Sequence, residues 1–311
     1  MDVRVILMGS PEFAVPSLKA LAEQYRVVLV VTQPDRRKGR GQKHGVSPVK
    51  STALALGLEV WQPATLRTPE AIQQLRAARP DVYVTAAVGH ILTPAALSIP
   101  QYGCLNVHAS LLPRWRGAAP VSAAILNGDS ETGITLLKTD SGVDTGPILA
   151  QVRCPIESDD TTGTLTRRLS RLGADLLIET LPRWLAGEIT PRAQPAAGVT
   201  ISRRLQKSDG AIDWRQPAAV IERMIRAYRP WPGTYTTYQG KRLSVLRARA
   251  IPDWANQDRP GRVISVNREA AVVTGQGVLV LDEIQLAGKR AMSPDAFCRG
   301  QRAFIGATLG G

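Results

Sequence analysis

The chain has 311 residues and a formal net charge of +13, and 44% of its residues are hydrophobic and 21% charged, a balance typical of a globular protein long enough for two domains. No stretch reaches the 18 apolar residues of a membrane span, and the N-terminal segment resembles neither a signal peptide nor an organellar transit peptide. The three cysteines, Cys104, Cys154 and Cys298, are far apart and not in a metal-ligand spacing, so we expect a reducing cytoplasm and no metal site.

The positive charge is concentrated in the C-terminal part of the sequence. Residues 1–189 contain 20 Lys and Arg against 17 Asp and Glu, whereas residues 190–311 contain 19 against 9. Such an excess favours a polyanionic partner such as nucleic acid. The alternative is a solvated, arginine-rich surface without a specific partner.

Short apolar runs alternate with helix-like segments in the first half of the chain. The predicted strands are Val3–Met8, Val27–Thr32, Val82–Ala86, Cys104–His108 and Ile134–Lys138. The predicted helices are Val15–Glu23, Val49–Leu56, Glu70–Ala77 and Val121–Asn127. This alternation predicts an α/β domain with a parallel sheet and helices on both faces, whose ligands bind beyond the carboxyl ends of the strands. The first strand is followed by GSPEFAVP and not by GxGxxG, so no NAD site is expected.

The second half of the chain has a different pattern. A long helix is predicted over Thr162–Ala186, and its leucines at helical spacing (Leu165, Leu169, Leu172 and Leu176) are predicted to lie in the core. Residues 189–204 are rich in Pro, Ala and Thr and are predicted to form an interdomain linker. One helix, Ala218–Tyr228, and five short strands follow, which predicts a small, OB-like barrel. The predicted strands are Thr234–Tyr238, Leu243–Ala250, Gly261–Val266, Ala271–Thr274 and Val278–Ile284.

Three polar residues form a candidate catalytic set. Asn106 and His108 are two residues apart near the end of a predicted strand, so both side chains are expected on one face. An amide and an imidazole there can hold and protonate a carbonyl oxygen as negative charge develops on it. Asp144 lies between Gly142 and Gly146 in a loop that can bend sharply. This loop follows the predicted strand Ile134–Lys138, so we expect all three side chains at the carboxyl-end edge of the sheet. Without a Ser or Cys nucleophile, the set favours direct transfer to an amine; a core histidine, a turn-capping Asn and a turn Asp are the alternatives.

Other segments carry weaker signals. The basic cluster could order on RNA phosphates or form a solvated loop; its members are Arg36, Arg37, Lys38, Arg40 and Lys43. Residues 110–113, Ser-Leu-Leu-Pro, are predicted to line a small-molecule pocket with backbone groups and the apolar side chains of Leu111 and Leu112. The alternative is an ordinary exit from a strand. The following Arg-Trp-Arg is either a surface turn or a contact for an anionic substrate. Trp231, between two prolines, is predicted to be a packing residue.

The chain resembles the methionyl-tRNA formyltransferases along essentially its whole length. The blocks that carry the resemblance are TQPDRRKGRGQKH, NVHASLLPRWRGAAP, SGVDTGP, IRAYRPWPGTY and AGKRAMS. The resemblance implies a Rossmann-like catalytic domain at residues 1–188, a linker at 189–204 and an OB-like, tRNA-binding domain at 205–311. It also implies formyl transfer from 10-formyltetrahydrofolate, as a cosubstrate, to the α-amino group of methionyl initiator tRNA, by a cytoplasmic, monomeric enzyme without a metal.

The resemblance assigns roles residue by residue. Asn106, His108 and Asp144 match the family's catalytic set. The folate-contacting motif of the family is matched by Ser110, Leu111, Leu112 and Pro113. Arg40 matches a position associated with tRNA recognition, and the basic residues around it are Arg36, Arg37, Lys38 and Lys43. Asn106 and His108 are expected to donate hydrogen bonds to the oxyanion, with Asp144 supporting the imidazolium. Two departures concern the folate pocket: Ala109 replaces a usual Gly, and Val88-Gly89-His90 replaces a usual Tyr-Gly-Leu.

Two other functions remain open at this point. One is a different 10-formyltetrahydrofolate-dependent formyltransferase, acting on an amino sugar nucleotide or on glycinamide ribonucleotide. The basic C-terminal half argues against it, because neither activity needs such an appendage. The other is a non-catalytic RNA-binding protein built around the barrel, which leaves the Asn, His and Asp residues unexplained.

Overall fold

The structure is a computed structural model that describes residues 2–38, 43–254 and 258–310. Its strands are β1 (Arg4–Gly9), β2 (Arg26–Val31), β3 (Arg36–Lys38), β4 (Lys43–Gly45), β5 (Val60–Trp61), β6 (Val82–Ala86), β7 (Cys104–His108), β8 (Arg116–Gly117), β9 (Glu131–Lys138), β10 (Ile148–Pro155), β11 (Ile201–Ser202), β12 (Thr234–Tyr238), β13 (Lys241–Ile251), β14 (Val263–Val266), β15 (Glu269–Val273) and β16 (Val278–Leu286). Its α-helices are α1 (Val15–Gln24), α2 (Pro48–Ala55), α3 (Pro69–Ala77), α4 (Pro94–Leu97), α5 (Pro120–Asn127), α6 (Thr162–Leu185), α7 (Ala218–Ala227) and α8 (Pro294–Gly300). Every predicted element is present, with small shifts at its ends, whereas β10 and several short elements are not among the predicted ones.

Seven strands form one sheet in the order β10-β9-β7-β6-β1-β2-β5. The strands from β7 to β5 are parallel, whereas β9 is antiparallel to β7 and β10 is antiparallel to β9. Parallel strands need apolar residues on both faces, and β6 is buried along its whole length. The predicted fold class, a Rossmann-like domain with a mostly parallel sheet, is confirmed.

The helices of this sheet begin at sites that the local sequence defines. Ser47, Thr68 and Thr93 each precede a proline and accept a hydrogen bond from a backbone N–H three residues later. The hydroxyl satisfies a donor that the first helical turn leaves free, and the proline lacks a donor there anyway. Short-range sequence therefore determines where α2, α3 and α4 start.

Helix α6 packs against the strand that carries two candidate catalytic residues. Of the four leucines predicted for its core, Leu165 and Leu169 are fully buried, whereas Leu172 and Leu176 are only partly buried. The buried face continues instead through Gly173 and Leu177. A Cβ on Gly173 would lie 2.8 Å from Cγ1 of Val107, so the glycine permits close contact between α6 and β7.

The chain forms two compact units. The first contains residues 1–120, 131–155 and 165–203, and the second contains residues 121–130, 156–164 and 204–311. The second unit therefore includes two segments from before residue 189, and the first unit includes most of the predicted linker. The predicted division of functions between a catalytic and a tRNA-binding domain stays a prediction.

The second unit is built on an antiparallel sheet in the order β12-β13-β16-β15-β14. The C-terminal segment connects its two edges, because the Leu309 N–H bonds to the Gly261 carbonyl beside β14 and the Gly310 N–H bonds to the Thr237 carbonyl of β12. This segment thus bridges the two edge strands, and the predicted C-terminal domain of short antiparallel strands is confirmed. The expected packing role of Trp231 is wrong, since 49% of this residue is exposed. Within the described ranges, no helix combines the length and the apolar character needed to cross a membrane.

Candidate active site

Strand β7 presents Asn106 and His108 at the carboxyl end of the parallel strands, as predicted. Asn106 pairs in register with Thr85 of the neighbouring strand β6. The Thr85 hydroxyl donates to the Asn106 side-chain oxygen over 3.0 Å, and the Asn106 side-chain nitrogen donates to Oδ1 of Asp144 over 3.1 Å. The second contact fixes which end of the amide is the donor, because an ionised carboxylate only accepts, and it joins Asn106 to the third candidate residue.

Asp144 reaches this cluster by a different route from the one predicted. The expectation that its preceding strand ends at the same sheet edge is wrong, because β9 is antiparallel and its last residue, Lys138, lies opposite Leu105 at the other end of β7. The loop between β9 and β10 folds back instead and brings Oδ2 of Asp144 within 3.5 Å of Nδ1 of His108. Oδ2 also accepts a hydrogen bond of 2.8 Å from the Gly117 N–H.

Asp144 and Trp115 both have left-handed backbone conformations, with φ of 52° and 57°. These conformations are disfavoured for residues that carry a Cβ, and they occur where surrounding contacts hold the backbone in place. The two residues contact opposite sides of the same imidazole ring. The departure at Ala109 has no such consequence, because its φ is not positive.

His108 is a buried imidazole held on both sides. Its Nε2 lies 3.0 Å from the Trp115 carbonyl oxygen, which can only accept, so Nε2 carries the proton and the Nδ1 lone pair faces Asp144. Burial lowers the pKa of His108, while the Asp144 carboxylate and the Trp115 carbonyl oppose that shift. The ring is therefore neutral near pH 7, and a proton that arrives at Nδ1 is stabilised by Asp144.

The segment Ser110–Pro113 is tied to the sheet by the side chains of Thr135 and Gln151. Thr135 of β9 donates to the Ser110 carbonyl over 2.7 Å and accepts from the Leu112 N–H over 3.0 Å. Gln151 of β10 donates both to the Thr135 hydroxyl and to the Leu112 carbonyl. Leu112 is buried, whereas Leu111 and Pro113 are only partly buried. The backbone groups of Leu112, which were expected to contact a ligand, are bonded within the protein.

The loop after β6 contains the second departure. Val88 packs against the core of the sheet. His90 Nε2 is buried and has no hydrogen-bond partner among the residues that the structure describes, and burial lowers the pKa of this imidazole. Because β6 neighbours β7, this loop follows the same sheet edge as His108. A buried, unpaired nitrogen at such an edge fits the contact of a polar ligand.

The two ends of the basic cluster form a two-stranded antiparallel ribbon. β3 and β4 pair antiparallel, with Lys38 opposite Lys43. Beside the ribbon, Asp35 accepts hydrogen bonds from Lys50 Nζ over 2.5 Å and from Gln62 Nε2 over 2.9 Å. Arg40 lies outside the described residues, so its predicted contact with tRNA stays a prediction, as do those of Arg36, Arg37, Lys38 and Lys43.

Sequence reasoning missed the residues that hold the catalytic set in place. Thr85, Thr135, Gln151, Gln194 and Thr200 all contact it or its loops through side-chain hydrogen bonds. The register of β6 against β7 could have suggested Thr85, but the other four depend on contacts distant in sequence. In the described part of the chain, no cluster of three or more His, Cys, Asp or Glu side chains is arranged to hold a metal ion.

The chain is similar to known proteins along its whole length. Residues 1–181 match the profile described as Formyl transferase, and residues 204–302 match Formyl transferase, C-terminal domain. The chain is 48% identical to a methionyl-tRNA formyltransferase of Roseiflexus castenholzii, covering 100% of both chains, and 49% identical to one of Chloroflexus aggregans, covering 97% of this chain and 98% of the relative. Among solved structures, the sugar 3N-formyl transferase WlaRD, in the presence of dTDP and 5-N-formyl-THF, superposes with a TM-score of 0.67 at 17% identity, over 93% of this chain and 100% of that one. At that identity the likeness shows a common fold.

Proposed function

The chain belongs to the formyl transferase family, and from this premise we propose that it transfers the formyl group of 10-formyltetrahydrofolate to the α-amino group of methionyl initiator tRNA. The observation that carries the proposal is the convergence of Asn106, His108 and Asp144 in a chain whose full-length relatives are methionyl-tRNA formyltransferases. The proposal includes a monomeric, cytoplasmic enzyme that supplies formylated methionyl-tRNA for translation initiation.

The site fits a folate as the formyl donor. The partly buried side chains of Leu111 and Pro113 offer apolar contacts, and the unpaired Nε2 of His90 offers a polar one on the neighbouring loop. Small-molecule pockets commonly combine an apolar wall with a few polar groups that fix orientation. In this proposal Ser110 and Leu112 shape the pocket from behind, because Ser110 and Leu112 are themselves buried.

Asn106 is the proposed oxyanion donor. When the methionyl amine attacks the formyl carbon, the carbonyl oxygen becomes negatively charged. One hydrogen of the Asn106 amide is bonded to Asp144, and the second is available for this oxygen. A donor held in place before the reaction stabilises the developing charge without reorganisation.

His108 and Asp144 are proposed to handle the proton together. The reaction joins the amine nitrogen to the formyl carbon and breaks the bond from that carbon to the folate nitrogen, so one proton leaves the amine and one is returned to the folate. Together, Nδ1 of His108 and the Asp144 carboxylate can accept the proton that leaves the amine. The expected direct bond from His108 to the oxyanion is not supported, because Nε2 is bonded to the Trp115 carbonyl and Nδ1 faces Asp144.

An acceptor panel tests the proposal. Formyl transfer from 10-formyltetrahydrofolate is measured with methionyl initiator tRNA, methionyl elongator tRNA, free methionine and a dTDP-linked amino sugar. We expect the initiator tRNA to have the highest kcat/KM. Faster transfer to the amino sugar would support the alternative sugar formyltransferase, and absence of transfer to any acceptor would contradict both readings.

A further inference from the structure

The segment from Arg192 to Ser202, most of the predicted linker, runs along the active-site loop. Arg192 forms two backbone hydrogen bonds with Ile148, the first residue of β10, over 2.7 and 2.9 Å. Ten residues later, β11 pairs in parallel with β8, the strand that follows Trp115. The segment is therefore fixed at both ends to the elements that border Asn106, His108 and Asp144.

Gln194 uses its whole side-chain amide to hold the Asp144 loop. Nε2 donates one hydrogen to the Asp144 carbonyl over 2.7 Å and the other to the Gly146 carbonyl over 2.8 Å. Oε1 accepts two hydrogen bonds from the Arg116 guanidinium, of 3.0 and 2.8 Å. The backbone of Asp144 is thus fixed in its left-handed conformation by a side chain from a distant segment.

Thr200 holds the other side of the histidine. Its hydroxyl oxygen accepts a hydrogen bond of 2.8 Å from the Trp115 N–H, and the Trp115 carbonyl in turn accepts from Nε2 of His108. Trp115 is the second residue of the site with a left-handed backbone. Each of the two strained residues that contact His108 is therefore bonded to a side chain of the same segment.

We propose that Gln194 and Thr200 are positioning residues for formyl transfer, Gln194 acting through Asp144 and Thr200 acting through Trp115. The inference rests on the proposed function, since it requires His108 and Asp144 to be the reacting pair. It assigns two side chains of the segment that connects the two matched family regions to the support of the active site. Loss of either side chain lets one contact of the imidazole relax while the strands that carry the site remain.

Two substitutions of similar volume test Gln194. Gln194→Met removes every hydrogen bond, and Gln194→Glu keeps an oxygen for Arg116 but places a carboxylate oxygen against two carbonyl oxygens. We expect both variants to lower kcat about 10- to 100-fold, the effect of losing the two hydrogen bonds to the Asp144 and Gly146 carbonyls. Folate binding should not change. Val199→Ala, at an exposed position of the same segment, is the matched control and should retain full turnover.

A second readout follows the imidazole directly. Because the Asp144 charge raises the pKa of His108, a displaced Asp144 should lower the midpoint of the His108 NMR titration in both Gln194 variants. Thr200→Val tests the other contact independently, with a loss of kcat but an intact Asp144 loop. Normal kcat and an unchanged midpoint of the His108 titration in both Gln194 variants would overturn the inference for Gln194. It would also be overturned if helical circular dichroism and folate binding fell as much as kcat, because the residue would then be needed for folding. Normal kcat in Thr200→Val would overturn it for Thr200.

The outcome is separable from that of the proposed function. If His108→Ala is inactive and the Gln194 and Thr200 variants are normal, only the positioning inference fails. If His108→Ala is fully active, the proposed mechanism fails, whatever the other variants do.

Discussion

The candidate active site of the first unit and the aromatic centre of the second unit differ in the side chains that they bury. In the first unit the polar side chains of Thr85, His108 and Thr135 are buried around the candidate active site. Each of them has a hydrogen-bond partner there. In the second unit the centre is aromatic: Phe304 is fully buried and makes edge-to-face contacts with Tyr238 and Phe297. A hydrogen-bonded network fixes geometry, whereas an apolar core mainly supplies free energy of folding. Substitutions in the two regions should therefore affect different measurements.

The units also differ in charge, but less than the sequence suggested. When the chain is divided as it folds, the second unit contains 17 Lys and Arg against 13 Asp and Glu, because residues 121–130 and 156–164 bring acidic side chains with them. The excess of 10 in residues 190–311 is therefore partly balanced within its own unit. The basic ribbon of β3 and β4 belongs to the first unit. Contacts with tRNA are thus expected from both units.

The largest expected effect lies in the polar network. His108→Ala should lower turnover by about 10²- to 10⁴-fold, the usual contribution of acid–base catalysis, with little change in folate affinity. Single-turnover formyl transfer measures the loss, and a folate-binding assay serves as the control. A variant with near-normal turnover would contradict the role of this histidine.

Phe304→Ala should produce the opposite pattern. Removing a fully buried ring that contacts two others should lower the free energy of unfolding by about 3 to 5 kcal/mol, because the cavity cannot close completely. Chemical denaturation measures the change, with Phe304→Leu as a milder control. Turnover of the folded variant should stay close to that of the native protein, and a large loss of kcat without loss of stability would break the comparison between the units.

The pH dependence of the network is a smaller effect. Burial places the pKa of His108 below its ordinary value of 6.5, so the neutral ring should persist as the pH falls below 6.5 and charge only at lower pH. Stability that depends on the neutral ring is present above 6.5 and is lost as the pH falls through the lowered pKa. Asp144→Asn removes the charge that opposes the shift, so the midpoint should fall further. NMR titration of the three histidines measures this, and a midpoint that rises in Asp144→Asn would contradict the assignment.

The smallest expected effect concerns the basic loop. Arg40→Ala should raise the KM for charged tRNA and reduce the slope of log affinity against log salt by roughly one unit, corresponding to one lost phosphate contact. Folate affinity should not change. Arg171→Ala, an exposed arginine of α6, is the matched control. Equal losses for a minimal amine acceptor would indicate a structural role for Arg40.

Short-range sequence determined most of the elements and placed two of the three candidate catalytic residues. The alternation of apolar runs predicted β6 and β7 with their observed bounds, and the two-residue spacing of Asn106 and His108 placed them together. These features depend on backbone geometry within a few residues, which a single sequence expresses directly. The antiparallel course of β9 is not expressed in this way, so the argument about sheet edges was wrong, although Asp144 does lie beside Asn106 and His108.

Only the tertiary structure decided how the site is held. Gln194 contacts a residue 50 positions earlier, and Thr200 contacts one 85 positions earlier, from a segment whose Pro, Ala and Thr content is typical of a linker. The amino-acid composition of a segment indicates whether the segment can form a hydrophobic core of its own. A segment that lacks such a core can still be ordered by hydrogen bonds to other parts of the chain. The sequence therefore determined the candidate reacting groups, whereas the packing of distant segments decided which side chains fix their orientation.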